Sequence, residues 1–368
     1  MSHHPLQYLQ RTDLSTLFDL LIQKGFSLYG PQVVEDVISY DQIDSVAALP
    51  QGMTDQQSPG RYRLKSNGDQ RQFNWSNGPQ AIKPLLNPAR DVLWQAKRDS
   101  KGQIHFVVPE EQIQKVAVIG AKACDIAALK LQDKHFLKGE YPDPGYQARR
   151  NGLFLVAVNC TTASENCFCV STGDGPEVED GFDLVLTELE EGFLIRPGSP
   201  SGGDLLSLLP TRPADKVQLA QACEQASQVE RQQVRSMKKI LKGELEAQRD
   251  HPQWDDVAER CLACGNCTLV CPTCFCHRQR DDVSVDGVTS SHLREWDSCF
   301  GESHGQLAGF QVRDSVKKRY QQWMIHKLDN WQEQYDRSGC TGCGRCMTWC
   351  PASIDFVAEA NKIAGDDE

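Results

Sequence analysis

The chain has 368 residues, of which 16 are cysteine, and its formal net charge is -11. Single hydrophobic cores rarely grow beyond roughly 250–300 residues, so we expect two domains. With 39% hydrophobic and 24% charged residues, the composition excludes a disordered or fibrous chain. The acidic charge balance argues against nucleic-acid binding, because contact with phosphates requires a basic surface.

The sequence contains neither a recognisable membrane span nor a secretory signal. Its longest apolar run, residues 152–158, is much shorter than the roughly 20 residues that a bilayer requires. The first thirty residues lack a basic segment followed by an apolar core. We therefore predict a cytoplasmic protein. Because cytoplasmic thiols stay reduced, so many cysteines indicate metal or redox chemistry rather than disulfides.

The N-terminal part predicts an α/β domain over residues 1–210. The buried-strand pattern of 115–120 and the continuous apolar run 153–158 predict buried strands, and the helical segment 125–136 between them favours parallel pairing. Residues 183–189 and 192–196 flank a Glu-Glu-Gly turn, so we predict a hairpin there. The fold class that we predict for the whole chain is α+β.

A change of pattern after Pro213 predicts a connecting helix within residues 211–250, ending before Pro252. Cys223 lies on the apolar face of this helix, so we expect its side chain to be buried. Residues 251–368 then predict a mostly helical, ferredoxin-like domain, which includes an amphipathic helix over 312–331.

One cysteine pattern, three-plus-one and followed by proline, occurs twice in this second domain. The copies are Cys261, Cys264, Cys267, Cys271 and Cys340, Cys343, Cys346, Cys350. In bacterial ferredoxins with this spacing, the first three cysteines bind one 4Fe-4S cluster and the fourth binds the other cluster. We therefore assign one cluster to Cys261, Cys264, Cys267 and Cys350, and the other to Cys340, Cys343, Cys346 and Cys271.

Zinc is the competing interpretation of this pattern, since structural zinc sites also use pairs of cysteines. Two copies of the three-plus-one spacing, each ending in Cys-Pro, favour iron–sulfur clusters instead. The long insert between the motifs, residues 272–339, has no place in a compact two-cluster ferredoxin. We therefore expect an elaborated, helical variant of that fold.

A second group of cysteines follows the two buried strands of the first domain. If these strands are parallel neighbours, their carboxyl ends open into one crevice, where such sheets bind ligands. We hypothesise a third 4Fe-4S cluster there, with a zinc site or uncoordinated thiols as the alternatives. Its ligands would be Cys124, Cys160, Cys167 and Cys169.

No motif indicates a catalytic residue. The sequence lacks a dinucleotide-binding glycine motif, a phosphate-binding loop and a His-Glu-x-x-His zinc motif. The nine histidines form no cluster along the chain. Three further cysteines, Cys274, Cys276 and Cys299, exceed what the two clusters need, and we interpret them as buried thiols. We expect a non-catalytic electron-transfer subunit, although clusters with a structural role and a bound flavin remain alternatives.

Several short motifs resemble one family of iron–sulfur proteins. They are Ala123-Cys-Asp125, Cys167-Phe-Cys169, Cys271-Pro-Thr-Cys-Phe-Cys276, Trp296-Asp-Ser-Cys-Phe300 and His326-Lys-Leu328. The chain resembles the iron–sulfur beta subunit of cytoplasmic NiFe sulfhydrogenases, and the same pattern is shared by the iron–sulfur relay subunit of the anaerobic sulfite reductase.

The resemblance implies a relay of electrons between a flavin subunit that uses NAD(P)H and a catalytic subunit. The expected catalytic partner is a NiFe hydrogenase, and the alternative is a sirohaem subunit of a sulfite reductase. The resemblance also supports the third cluster. It suggests that Cys274, Cys276 and Cys299 have a role, without indicating which.

Overall fold

The structure, a computed structural model, describes residues 6–109 and 113–365. The described strands before residue 220 lie in the first predicted domain, residues 1–210, except the last, which falls in the predicted connecting segment. They are β1 (Gln7–Gln10), β2 (Ser27–Val34), β3 (Val37–Ile43), β4 (Met53–Ser58), β5 (Arg61–Ser66), β6 (Arg90–Arg98), β7 (Ile104–Val107), β8 (Val116–Ala121), β9 (Leu153–Val158), β10 (Leu184–Glu188), β11 (Gly192–Pro197) and β12 (Arg212–Pro213). The helices of the same part are α1 (Leu14–Gln23), α2 (Lys83–Leu86), α3 (Ala123–Leu137), α4 (Pro144–Asn151), α5 (Cys169–Thr172), α6 (Pro200–Leu206) and α7 (Lys216–Gln232).

The remaining part of the chain contains mainly short helices and two strand pairs. The helices are α8 (Glu244–Ala247), α9 (Gln253–Arg260), α10 (Asn266–Leu269), α11 (Val316–Ile325), α12 (Trp331–Tyr335), α13 (Arg345–Thr348) and α14 (Phe356–Ile363). The strands are β13 (His277–Val283), β14 (Thr289–Trp296), β15 (Gln306–Leu307) and β16 (Phe310–Gln311). A π-helical segment, His326–Asn330, joins α11 to α12.

The first part of the chain is built on an eight-stranded mixed sheet in the order β12-β1-β11-β10-β9-β8-β2-β3. β8 and β9 are parallel neighbours, as predicted, with Val118 opposite Leu155. β10 and β11 pair antiparallel, so the predicted hairpin is confirmed as well. The fold is therefore mixed α/β in this part.

The central strands are buried on both faces, which is why their sequences are continuously apolar. Phe154, Val156 and Val158 face one core, in which α1 packs. Leu155 and Ala157 face a second core together with apolar side chains of α3. This packing holds the first turn of α3 against the carboxyl end of β8, where the upstream cysteines begin.

The predicted connecting helix is interrupted. Asp215 and Gln218 form a capping box at the start of α7, but the helix ends at Gln232 and no helix resumes before α8. The side chain of Gln233 instead accepts a hydrogen bond from the Val170 amide at 3.1 Å. After Gln232, hydrogen bonds to residues distant in sequence therefore take the place of those that would continue the helix. Cys223 is exposed, so the prediction that it is buried was wrong.

The expectation of a mostly helical second domain omitted a strand pair in the insert. β13 and β14 pair antiparallel, and β14 continues into a four-stranded sheet with β6 and β7 from the first half of the chain. Such pairing joins residues far apart in sequence, so no local sequence pattern predicts it. The helices α9, α11 and α14 contribute to a separate core that includes Trp254, Trp323 and Phe356.

No helix within the described residues combines the length and the apolar character that a membrane span needs.

Candidate iron–sulfur sites

The four cysteines assigned to the first cluster line one cavity: Cys261, Cys264, Cys267 and Cys350. α9 ends immediately before Cys261, and Ala263 and Gly265 both adopt positive φ, so the loop turns its thiols towards one centre. Aromatic side chains close the inner wall: Phe300, Tyr320, Trp323 and Phe356. Cys264 is exposed, which leaves this cavity at the surface of the protein.

The cysteines assigned to the second cluster are also neighbours. The pKa of Cys346 is raised well above its ordinary value, mainly by burial and then by the charges of Cys340, Cys343 and Cys271. Burial likewise raises the pKa of Cys340 to about 12. A thiolate at such a position is stable only beside compensating positive charge, such as that of iron. The residues therefore fit a cluster.

Two buried lysines lie beside this second set. Lys327 donates a hydrogen bond to the Thr273 hydroxyl at 2.7 Å, and that hydroxyl lies 3.2 Å from the Cys271 sulfur. Lys83 donates to the carbonyl of Leu269 at 3.1 Å. Burial alone would lower the pKa of Lys327, but the neighbouring thiolates, Cys271 first, raise it. Lys327 therefore stays positively charged, which suits an anionic cluster held by thiolates.

The four upstream cysteines line a second cavity: Cys124, Cys160, Cys167 and Cys169. Cys124 lies in the first turn of α3, after β8, and Cys160 follows β9, so the parallel strands do bring the two loops together. The Ser164 hydroxyl lies 3.3 Å from the Cys167 sulfur. Gln233 donates to the Cys169 sulfur at 3.2 Å, which ties the segment after α7 to this site.

The third and second sets of cysteines touch each other. Cys343, from the second motif, lines the upstream cavity together with Gly342. The Phe168 amide donates to the Gly342 carbonyl at 2.9 Å. Gly342 has φ +65, and a β-carbon there would lie 2.4 Å from the Cys169 Cα. Only glycine permits this approach of the two loops.

Gly342→Ala is therefore expected to reduce the free energy of unfolding more than the matched change Gly68→Ala. Gly68 also has a positive φ, +72, but open space surrounds it, so both variants share the backbone strain and only Gly342→Ala adds a clash. We expect a loss of roughly 1–2 kcal/mol at Gly68, and about 2 kcal/mol more at Gly342. Anaerobic denaturant unfolding of the full chain measures both; equal losses would contradict the close approach.

A buried ion pair links the same two parts of the chain. Arg345 of α13 lies 2.8 Å from Asp125 of α3, and both side chains are only 2% exposed. Arg345 also donates to the Gly78 carbonyl at 2.9 Å and to the Asn77 side chain at 3.1 Å. The second motif is thereby bonded to the helix that carries Cys124.

Sequence reasoning missed the charged and polar residues around the sites. Arg345 lies within the second ferredoxin motif and Lys327 within the His-Lys-Leu motif of the resemblance, but neither motif indicates a role for these two side chains. His304 is hydrogen-bonded to Asp297 and lies beside Cys276, which no spacing along the chain indicates. Within the described residues, no three His, Cys, Asp or Glu side chains are placed to hold a single metal ion.

Comparison with known proteins agrees with this arrangement. A family model described as a 4Fe-4S dicluster domain matches residues 260–354. The chain is 34% identical over 255 residues to the sulfhydrogenase 2 subunit beta of Pyrococcus furiosus, an alignment that covers 68% of this chain and 74% of that protein. No solved structure matches the chain. The chain belongs to the family of iron–sulfur beta subunits of sulfhydrogenases.

Proposed function

We propose that this chain carries single electrons between a flavin subunit that uses NAD(P)H and a NiFe hydrogenase module, without catalysing a reaction itself. The observation that carries the proposal is the pairing of two ferredoxin-type cysteine sets in a sulfhydrogenase beta subunit. The same likeness favours a hydrogenase complex over the sulfite reductase alternative. The division of the chain near residues 210 and 250 and a cytoplasmic location stay predictions.

The residues that would hold two clusters are those of the crossed assignment. When bound, a 4Fe-4S cluster accepts and returns one electron at a time. The protein side chains supply the ligands, the aromatic inner wall of the first site, and the charge of Lys327 at the second. Each of these features affects the reduction potential of the cluster beside it.

A third cluster at the upstream cysteines deepens the proposal. Its support is that four thiols line the wall of one cavity, at the carboxyl ends of two parallel strands. A single zinc ion needs its ligands to meet at one point, about 2.3 Å from each sulfur. Thiols spread around a cavity suit a group with volume of its own, and therefore favour a cluster over zinc.

The contacts between the three cysteine sets support a linear order of the clusters, with the second set in the middle. Cys346 of the second set lines the first cavity, and Cys343 of the same set lines the upstream cavity. The first site has the exposed ligand, Cys264, beside an open groove in which Tyr62 stacks on Trp349 with ring centroids 5.3 Å apart. We propose that one of the partner proteins docks at this groove.

An iron count tests the number of clusters. The anaerobically purified full chain is expected to hold roughly twelve irons, Cys167→Ser roughly eight, and the exposed-cysteine control Cys223→Ser the full number. About eight irons in all three would contradict the third cluster.

Reductive titration with EPR then tests the relay, because clusters that remain oxidised at every accessible potential would contradict electron transfer. Nickel that co-purifies with the complex supports the hydrogenase, whereas sirohaem absorbance supports the alternative.

A further inference from the structure

Two cysteines that the cluster assignment does not use lie side by side at the open end of the β13–β14 ladder. His277 pairs with Trp296 in this ladder, and the Asp297 amide donates to the Cys276 carbonyl at 3.0 Å. The ladder thus brings Cys276 next to the segment that carries Cys299. The two thiols are close enough that each shifts the pKa of the other.

A histidine and an aspartate complete the arrangement. His304 Nδ1 lies 2.7 Å from the Asp297 carboxylate, and the nearby Cys276 thiol raises the pKa of the same histidine. A tight turn returns His304 to this place, with hydrogen bonds from the Gly301 amide to Ser298 at 2.8 Å and from the His304 amide to Gly301 at 3.3 Å. An oriented imidazole beside a thiol is the arrangement that activates cysteine as a nucleophile.

The electrostatic environment distinguishes the two thiols. Contact with Cys299 lowers the pKa of Cys276, and His304 lowers it further against the effect of burial. The same contact with Cys276 raises the pKa of Cys299. Because His304 lies beside Cys276 and Cys299 is the more deeply buried of the two, Cys276 is the better placed of the two thiols to ionise. Cys276 is half-buried, so a small molecule can reach it, whereas Cys299 is buried.

We propose that Cys276 and Cys299 form a thiol–disulfide redox site that reacts with small disulfides, with Cys276 as the nucleophile and Cys299 as the resolving thiol. The Cys276 thiolate attacks one sulfur of the disulfide, whose S–S bond breaks, and the released thiolate takes the proton of His304. Cys299 then transfers its proton to His304 while its sulfur attacks that of Cys276. The second thiol leaves with that proton, and a Cys276–Cys299 disulfide remains.

Regeneration takes two electrons and two protons. The Cys276–Cys299 bond breaks, Cys299 receives one proton, and His304 receives the other beside the Cys276 thiolate. The reductant is a low-potential one-electron carrier that acts twice. Only this choice of reductant rests on the proposed function. Cys274 connects the site to the second cysteine set, since its thiol is hydrogen-bonded to Cys271 and its charge interacts with Cys276.

Differential alkylation with mass spectrometry tests the site in the full, cluster-loaded chain. In a Cys223→Ser background, thiol–disulfide buffers of decreasing potential are expected to convert Cys276 and Cys299 together from disulfide to free thiols, in one two-electron transition. With bis(2-hydroxyethyl) disulfide as the probe, Cys299→Ser should accumulate a mixed disulfide on Cys276. Cys276→Ser should form none, and His304→Gln should form a disulfide about tenfold more slowly at neutral pH, because less thiolate is present.

Two results would overturn the inference. A loss of about four irons per chain in Cys276→Ser or Cys299→Ser would make these residues cluster ligands instead. A Cys276 that neither reacts with the probe nor changes with potential would be a packing thiol. Dithionite reduction of the clusters in the same samples, followed by EPR, separates either result from a failure of the relay itself.

Discussion

Cys343→Ala is expected to abolish hydrogen-dependent reduction of NAD(P) by the complex, with less than roughly 1% of the activity remaining. Cys343 belongs to the second cysteine set and also lines the upstream cavity, so its loss interrupts the middle of the proposed order. Losing even an outer partner of a metal ligand typically costs about 10–100-fold, and losing a ligand should cost at least as much.

The reactions at either end of the complex should survive in this variant. Hydrogen oxidation with an artificial dye reports on the proposed hydrogenase partner, and NAD(P)H oxidation with a dye reports on the proposed flavin partner. Cys223→Ser is the matched control, because Cys223 is exposed and far from every assigned ligand in sequence. Full hydrogen-to-NAD(P) activity in Cys343→Ala would refute the relay through the second set.

Asp125→Asn is expected to lower the free energy of unfolding by roughly 3–5 kcal/mol, because it leaves the Arg345 guanidinium buried without its counter-charge. Both side chains are 2% exposed at a separation of 2.8 Å, so water cannot replace the lost partner. Because the pair joins α13 to α3, the variant should also lose iron from the second and upstream sets more readily than from the first.

The control for this prediction is an exposed ion pair of the same kind. Arg231 and Glu224 lie 2.8 Å apart with side chains 63% and 60% exposed, so Arg231→Met should cost at most about 1 kcal/mol. Anaerobic denaturant unfolding, followed by circular dichroism, compares the variants. In Asp125→Asn/Arg345→Met, the second substitution should add little to the first; strictly additive losses would argue against coupling of the two charges.

The elements that the sequence predicts correctly have local causes. β8 and β9 are rich in apolar residues because both of their faces are buried, and the turn between β10 and β11 is local. Both pairings could therefore be predicted from the sequence. The ferredoxin motif is local too, because one tight loop presents three of its thiols. The convergence of the upstream cysteines followed from one further step, the parallel pairing of β8 with β9.

The features that only the tertiary structure decided depend on contacts between distant segments. The segment after α7 leaves the helical path because Gln233 bonds the loop at Val170 and Cys169. β14 pairs with β6 across the boundary of the predicted domains. Neither contact has a short-range signature, since each is stabilised by groups that lie far apart along the chain.

The sixteen cysteines show the same division. Spacing by itself determined that eight of them follow the ferredoxin pattern, the predicted strands brought four more together, and the resemblance pointed to Cys274, Cys276 and Cys299. Only the folded chain decided that Cys343 borders the upstream site, that Cys223 is exposed, and that Cys276 meets Cys299 and His304. The physical reason is that ligand spacing is set by one loop, whereas the environment of each thiol is set by whatever packs against it.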